Sequence, residues 1–208
     1  MRLANPTRYG EWDLSYNSGM NTKFFTGAGD AGESGFGQKK IPKDDALFDV
    51  LGSLDAINTF TGWSAVEASR MKNATPRIAE IEIYLRELQE MLFIAQAEIA
   101  SIGFEIDGLQ KITAEKVERL EEIIKKADSE IPPIEKFIIP GATELEARLD
   151  IARVETRNAE RELIKFGRVH TLSLELLSFM NRLSSVYFAL ARFANVLLGV
   201  EEKNPSYK

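Results

Sequence analysis

Between Ile78 and Ile99 the apolar residues Ile78, Ile81, Leu85, Leu88, Leu92, Ala95 and Ile99 recur in alternating steps of three and four. That spacing lines all seven along one stripe of an α-helix and along no face of a strand, so the stretch is expected as a helix buried on one side. Thr75 and Pro76 just ahead of it read as a cap and first turn. The same period predicts a helix from about Asp45 to Met71, with Phe48, Leu51, Leu54, Ile57 and Val66 on its buried stripe. A charged helix follows from Thr113 to about Ser129. A fourth begins at Thr143, where Thr143 and Glu146 have the spacing of a capping box and Leu145, Leu149, Ala152, Ala159 and Leu163 form the buried edge. A fifth, from about Leu172 to Leu198, is apolar around much of its circumference. Gly103 and Gly108 end the second helix, and the run IPPIEKFIIPGA, with its three prolines and a glycine, forbids regular helix before Thr143. The pattern predicts an all-α, up-and-down five-helix bundle over residues 44–200, with no strand-rich segment. Ahead of it come a polar extension, residues 1–22, and a glycine-rich loop, residues 23–43; behind it is a tail, residues 201–208.

Composition narrows the chemistry. A chain of 208 residues with 44% apolar content can bury a sizeable core, whereas a net charge of −6 argues against bulk nucleic-acid binding. No cysteine is present, which excludes disulfides, thiolate zinc sites and a cysteine nucleophile. The first twenty residues lack the apolar centre of a signal peptide and no stretch is apolar for about 18 residues, so a cytoplasmic protein without a membrane span is expected. The one histidine, His170, has Phe166 four and Gly167 three residues before it. A di-iron bundle needs paired Glu-x-x-His motifs, so that option fails at its ligands, and His170 reads as a residue of the turn between the fourth and fifth helices.

Two polar features stand out. Residues Gly27 to Gly37, GAGDAGESGFG, hold five of the fourteen glycines. A run so poor in side chains contributes little to a core but lets backbone N–H groups come close to a phosphate. On the fourth helix Arg153, Arg157 and Arg161 step by four with Glu160 beside them, which is either a solvated face neutralised by Glu155, Glu160 and Glu162 or an anion site. On the fifth, Asn181, Ser185 and Arg192 share a face of an apolar helix, where such groups are costly unless partnered.

In order along residues 24–197, these segments resemble the PduO-type cob(I)alamin adenosyltransferases, the ATP:corrinoid adenosyltransferase family. The family's T-x-T-G-D-x-G-x-T/S is similar to Thr26 through Ser34, followed by Lys43, Asp44 and Asp45; its G-x-x-D-E-L-N is similar to Gly52 through Asn58. Its F-x-L-P-G-G-T resembles Phe137 to Thr143, its A-R-x-x-x-R-R-A-E-R resembles Ala152 to Arg161, and its N-R-L-S-D resembles Asn181 to Ser185. The resemblance implies a homotrimer with sites between subunits, in which cobalt(I) of cobalamin attacks the 5′ carbon of ATP and triphosphate leaves. The polyanionic leaving group needs preorganised N–H groups and guanidiniums, and needs no general base because the nucleophile is the metal.

Carried over residue by residue, the resemblance has Thr26, Gly27, Ala28, Gly29, Asp30, Gly32, Ser34 and Lys43 around the phosphates with Mg²⁺ carried on the ATP. Arg157, Glu160, Arg161 and Asn181 complete the nucleotide site. Asp55 pairs with Arg153 across the subunit boundary, and with Arg157 these form the catalytic set. Phe137 lies against the corrin and excludes the lower axial ligand, which makes cobalt easier to reduce; read from the residues alone, it could equally anchor the proline-rich connector. A separate reductase is a possible partner. The sequence also departs from the family: Gly27 stands for a usual Lys or Arg, Ala56 for Glu, Asn158 for Arg and Ser185 for Asp, while Ala28 removes a hydroxyl. Lys23, Lys39 or the extension could make up the loop's lost contacts. The eroded loop keeps a second reading open, a diverged homologue that binds ATP or cobalamin as a carrier or sensor without catalysis.

Overall fold

The computed structural model describes residues 25, 27–36, 39–73, 75–102 and 108–207. The extension of residues 1–22, Thr26, Lys23 and the break expected at Gly103 lie outside them. Five helices form the body: α1 (Ala46–Met71), α2 (Ile78–Ala100), α3 (Ala114–Asp128), α4 (Glu144–Phe166) and α5 (Leu174–Leu197). A short antiparallel hairpin precedes them, β1 (Glu33–Phe36) with β2 (Lys39–Pro42), in the register Ser34 opposite Ile41 and Gly35 opposite Lys40. The loop expected there is therefore part turn and part hairpin.

Helix boundaries follow from local chemistry. Asp45 caps α1 by accepting from Leu47 N at 2.9 Å, and Ser173 caps α5 by accepting from Leu176 N at 3.1 Å. The regular part of α2 starts at Ile78 rather than at Pro76. Thr75 to Arg77 form a tighter turn, with Ile78 N donating to Thr75 O and Ala79 N to Pro76 O. All seven apolar positions of the α2 stripe are fully buried, as are the five expected on α4. On α1 the stripe is only partly as expected: Leu54 and Ile57 are buried, Phe48 and Leu51 are half-buried, and Val66 is exposed. Nine residues on from Ile57, or 900° of helical rotation, Val66 has turned to the outer side.

Polar contacts set the helix directions. Ser53 donates to Glu162 while Trp63 O accepts from Arg148 at 3.1 Å, so α1 and α4 run antiparallel. By the same logic Asn58–Gln89 and Lys72–Glu82 make α1 and α2 antiparallel, and Glu87–Arg119 with Arg77–Glu130 does so for α2 and α3. Glu160–Asn181 and Thr143–Asn195 oppose α4 to α5. The result is up-and-down, with α4 packed between α1 and α5. At the far end of α2 the buried Glu98 accepts from Ile112 N at 2.7 Å and from Ser173 Oγ at 2.8 Å, tying the starts of α3 and α5 together. In the core, Thr61 donates to Ile57 O at 2.7 Å, so it is Tyr187 that donates to Thr61 across 2.5 Å; burial pushes the Tyr187 phenol up. Among the described residues no helix is long and apolar enough to cross a membrane.

The start of α4 departs from the expected capping box. Thr143 Oγ1 accepts from Glu146 N at 3.1 Å, but the Glu146 carboxylate reaches past Thr143 to the N–H groups of Gly141 and Ala142, at 2.7 and 2.8 Å. The left-handed Gly141, φ +100°, lets the connector present both N–H groups at once. Glu146 is 3% exposed. Burial, with the Asp150 carboxyl beside it, holds Glu146 above the ordinary carboxyl range against the pull of the two N–H donors. A carboxyl raised on folding contributes stability below its ordinary value of 4.5, and loses that contribution as pH rises through its folded value. In Glu146→Gln, which is neutral throughout, the melting temperature of the wild type relative to the variant should fall as pH is raised from ~4 to ~8. A difference that stays constant over that range refutes the assignment.

Candidate functional site

The glycine run folds into two tight turns, with Asp30 N donating to Gly27 O and Gly32 N to Gly29 O, both at 3.2 Å. Gly27 and Gly32 hold φ +69° and +81°, which side chains rarely adopt. Lys43 N then donates to Gly32 O at 2.9 Å, bringing the residue after β2 back beside the turns. Its side chain lies over Gly29: a Cβ there would sit 2.9 Å from Lys43 Nζ and 3.2 Å from its Cε. The ammonium therefore occupies the space that a side chain at Gly29 would fill. Ser34 is half-buried in β1, and Asp30 is exposed, with Oδ2 3.5 Å from where a Gly27 Cβ would be. Lys43 is exposed and has no ion-pair partner among the described residues. Successive turns of this kind present N–H groups to one side and favour an anion there.

The antiparallel register of α1 against α4 brings the C-terminal half of α4 to the same end of the bundle as this turn. There Glu160 Oε1 accepts from Asn181 Nδ2 at 3.0 Å, and Asn181 Oδ1 accepts from Arg182 at 2.7 Å, a polar link from α4 to α5. Arg157 is exposed and makes no ion pair among the described residues, as does Asp55 on α1. Arg161 donates to Asn158 Oδ1, so the asparagine at 158 engages the neighbouring guanidinium. Arg153, a turn nearer the start of α4, donates through Nε to Asp150 at 2.5 Å and lies 5.7 Å over the Phe188 ring. Within one chain, then, the residues expected as the catalytic set are not joined: Arg153 is held by Asp150, and Asp55 faces outward. On α5, Asn181 and Ser185 are exposed rather than deep in the helix, and only Arg192 is buried.

Phe137 sits at the other end of the bundle, on the connector before α4, and is 80% exposed. From Thr143 to Arg157 the helix rises ~20 Å. Its segment is fixed through the backbone: Phe137 O accepts from Asn204 Nδ2 at 2.8 Å, and Ile139 N donates to Lys203 O at 2.7 Å. Arg192, 5% exposed, donates to both oxygens of Glu202 at 2.9–3.1 Å and to Pro132 O at 3.0 Å. The tail of residues 201–208 is bound back through residues 202–204. Sequence did hold a signal: a guanidinium inside an apolar helix requires a partner, and Gly199 just past the helix end marks a chain reversal.

The family model described as Cobalamin adenosyltransferase matches residues 24–194. The corrinoid adenosyltransferase of Citrobacter freundii is 34% identical over 185 residues, covering 88% of this chain and 97% of its own. That of Bacillus subtilis (strain 168) is 32% identical over 178 residues, covering 86% and 89%. Among solved structures, a variant of a PduO-type ATP:corrinoid adenosyltransferase from Lactobacillus reuteri, complexed with cobalamin and ATP, superposes with a TM-score of 0.77 at 27% identity, covering 88% of this chain and 98% of that one.

The cradle at Gly29 gives a direct test. In Gly29→Ala the added methyl displaces the flexible end of Lys43 without touching the core, so the melting temperature should stay the same. Losing a charged hydrogen bond should weaken ATP by roughly one to two decades in titration calorimetry; unchanged affinity removes Lys43 and Gly29 from the site.

Proposed function

Because this chain belongs to the cobalamin adenosyltransferase family, we infer that it transfers the 5′-deoxyadenosyl group of ATP to cob(I)alamin. Cobalt(I) attacks the 5′ carbon, a cobalt–carbon bond forms, the carbon–oxygen bond breaks, and its electron pair leaves on triphosphate. The observation that carries this reading onto the chain's own residues is the ammonium of Lys43 resting over Gly29, beside two left-handed glycine turns. It is a cation held beside tight glycine turns in one loop, which suits a triphosphate acquiring charge as it leaves.

In this reading Gly27, Ala28, Gly29, Asp30, Gly32, Ser34 and Lys43, with Thr26 next to them in sequence, surround the phosphates, and Arg157 and Arg161 offer guanidiniums along α4. Asn181 and Glu160, already bonded to each other, give one amide and one carboxylate toward the nucleoside. Mg²⁺ arrives on the triphosphate, since Mg²⁺ typically keeps substrate phosphates among its ligands. Phe137 presents a bare ring to the corrin and denies the lower face of cobalt an axial nitrogen. A reductase would deliver the electron that converts cob(II)alamin to cob(I)alamin.

The site is completed between subunits of a homotrimer. Asp55 and Arg157 are charges without an ion-pair partner among the described residues, and Ile151 and Val154 on the outer side of α4 are exposed apolar side chains. A neighbouring protomer answers both, with Asp55 meeting Arg153 across the boundary and drawing it from Asp150. The loop's departures at Gly27 and Ala28 favour keeping the carrier or sensor in view, and one assay separates the two. Purified protein is mixed with ATP, Mg²⁺ and chemically reduced cobalamin, and the cobalt–carbon bond is followed by absorbance. Turnover supports the enzyme; binding of both ligands without bond formation supports the carrier. Arg157→Ala should lower kcat/KM for ATP about tenfold to a hundredfold with an unchanged melting temperature. Wild-type kinetics would remove Arg157 from the nucleotide site.

A further inference from the structure

The cleft of about 420 Å³ beside the Phe137 connector is closed on one side by chain that the reaction as described does not use. After α5 the helix ends in a paired reversal: Val200 N donates to Asn195 O at 2.9 Å and Gly199 N to Val196 O at 3.1 Å, with Gly199 at φ +65°. This turns the chain back on itself and returns Glu202 to Arg192, ten residues earlier. The guanidinium is the hub. Its fork holds the Glu202 carboxylate through both oxygens, and its Nη2 also holds Pro132 O at the head of the connector. Two further bonds tie the returning tail to the connector on either side of Ile138: Asn204 to Phe137 O, and Ile139 to Lys203 O.

The connector has no regular structure of its own, being interrupted by Pro132, Pro133 and Pro140. Its aromatic ring is largely exposed, so packing around the ring does not fix where it points. The backbone bonds to the tail set the main chain that carries it. We propose that Arg192 is a positioning residue of the transfer site, which clamps the C-terminal tail over residues 132–139 and thereby holds Phe137 at the face of the corrin. The proposal rests on the assignment of Phe137 given above. A planar fork suits this task where an ammonium does not, because the two acceptors lie on different segments and must be held in one geometry. Misplacing Phe137 affects the reduction of cob(II)alamin, in which the lower axial ligand must be kept off. It leaves the attack by cobalt already reduced to cob(I)alamin largely alone.

The test compares two rates in full-length protein: adenosylation starting from cob(II)alamin with a one-electron reductant supplied, and adenosylation of chemically pre-reduced cob(I)alamin. Arg192→Lys and truncation after Val200 should each lower the first about tenfold while the second stays within about twofold. In the electron paramagnetic resonance spectrum of bound cob(II)alamin with ATP, the fraction lacking an axial nitrogen should fall with it. Phe137→Ala should show the same skew, and adding the truncation to it should change the ratio no further. A variant that lowers both rates together, in step with a lower melting temperature, has only a stability role, and that overturns the proposal. So does truncation that leaves the ratio unchanged while Phe137→Ala retains its skew. If Phe137→Ala lowers both rates equally, the assignment of Phe137 fails and the clamp falls with it. Should the truncated chain not fold, Arg192→Lys alone decides, since it keeps both the tail and the buried charge.

Discussion

Everything functional here hangs on α4 being pressed between α1 and α5. Its inner edge, Leu145, Leu149, Ala152, Ala159 and Leu163, is fully or almost fully buried, and in its second turn the Arg148 guanidinium lies 4.2 Å over the Trp63 ring of α1. Burying that edge in an antiparallel setting gives the outer edge no freedom. Arg153, Arg157 and Arg161 must then point away from the core, and the end of α4 must lie beside the start of α1, where the glycine turns are. A helix that could rotate by one residue, about 100°, would bury a guanidinium and expose a leucine. The hydrophobic edge therefore aims the charges.

Periodicity made most of this legible. The α2 stripe is unambiguous because seven apolar residues in steps of three and four fit one helical face only, and each proved fully buried. Where sequence reading went astray, the reason was local. Val66 belongs to the right helix but the wrong side, since a stripe extended across nine residues drifts. Pro76 looked like a first helical residue, yet the tighter turn over Thr75 to Arg77 came first. The hairpin of β1 and β2 carries too few residues for alternation to announce itself, and glycine is a poor strand former. Motifs identified the candidate site by resemblance, whereas its geometry had to come from the fold. No spacing rule could have told that Lys43 leans over Gly29, because that contact depends on a backbone bond from Lys43 back to Gly32.

The charges at the site fall into two groups with different physics. Arg192 and Arg148 are buried and held by carboxylates and carbonyls, so their role is to fix backbone. Lys43, Asp55 and Arg157 are exposed and carry no ion pair among the described residues. In water an unpaired surface charge costs nothing, so on its own such a residue means little. What gives these three meaning is their placement on the loop, α1 and α4, at positions where the family motifs also run. The departures from those motifs have structural counterparts as well: Asn158, in place of a usual arginine, takes up Arg161, which leaves Arg157 as the unengaged guanidinium of the strip.

The two ends of the bundle ask for different kinds of order. At the end where α1 starts, the glycine turns are closed by their own backbone bonds, and the Lys43 ammonium lies in the space over Gly29. At the other end, where Phe137 lies, the chain cannot use regular structure, because three prolines interrupt the connector. Order there comes from outside the segment, through Glu146 on one side and the returned tail on the other. Glu146 holds Gly141 and Ala142 from below; Arg192, through Glu202 and Pro132, holds the opposite end of the same stretch. Phe137 lies between these two anchors with its ring free. A ring that is not packed into the protein's own core has its main chain set by bonds from outside the segment, and the buried charged residues at both ends of this irregular stretch supply them.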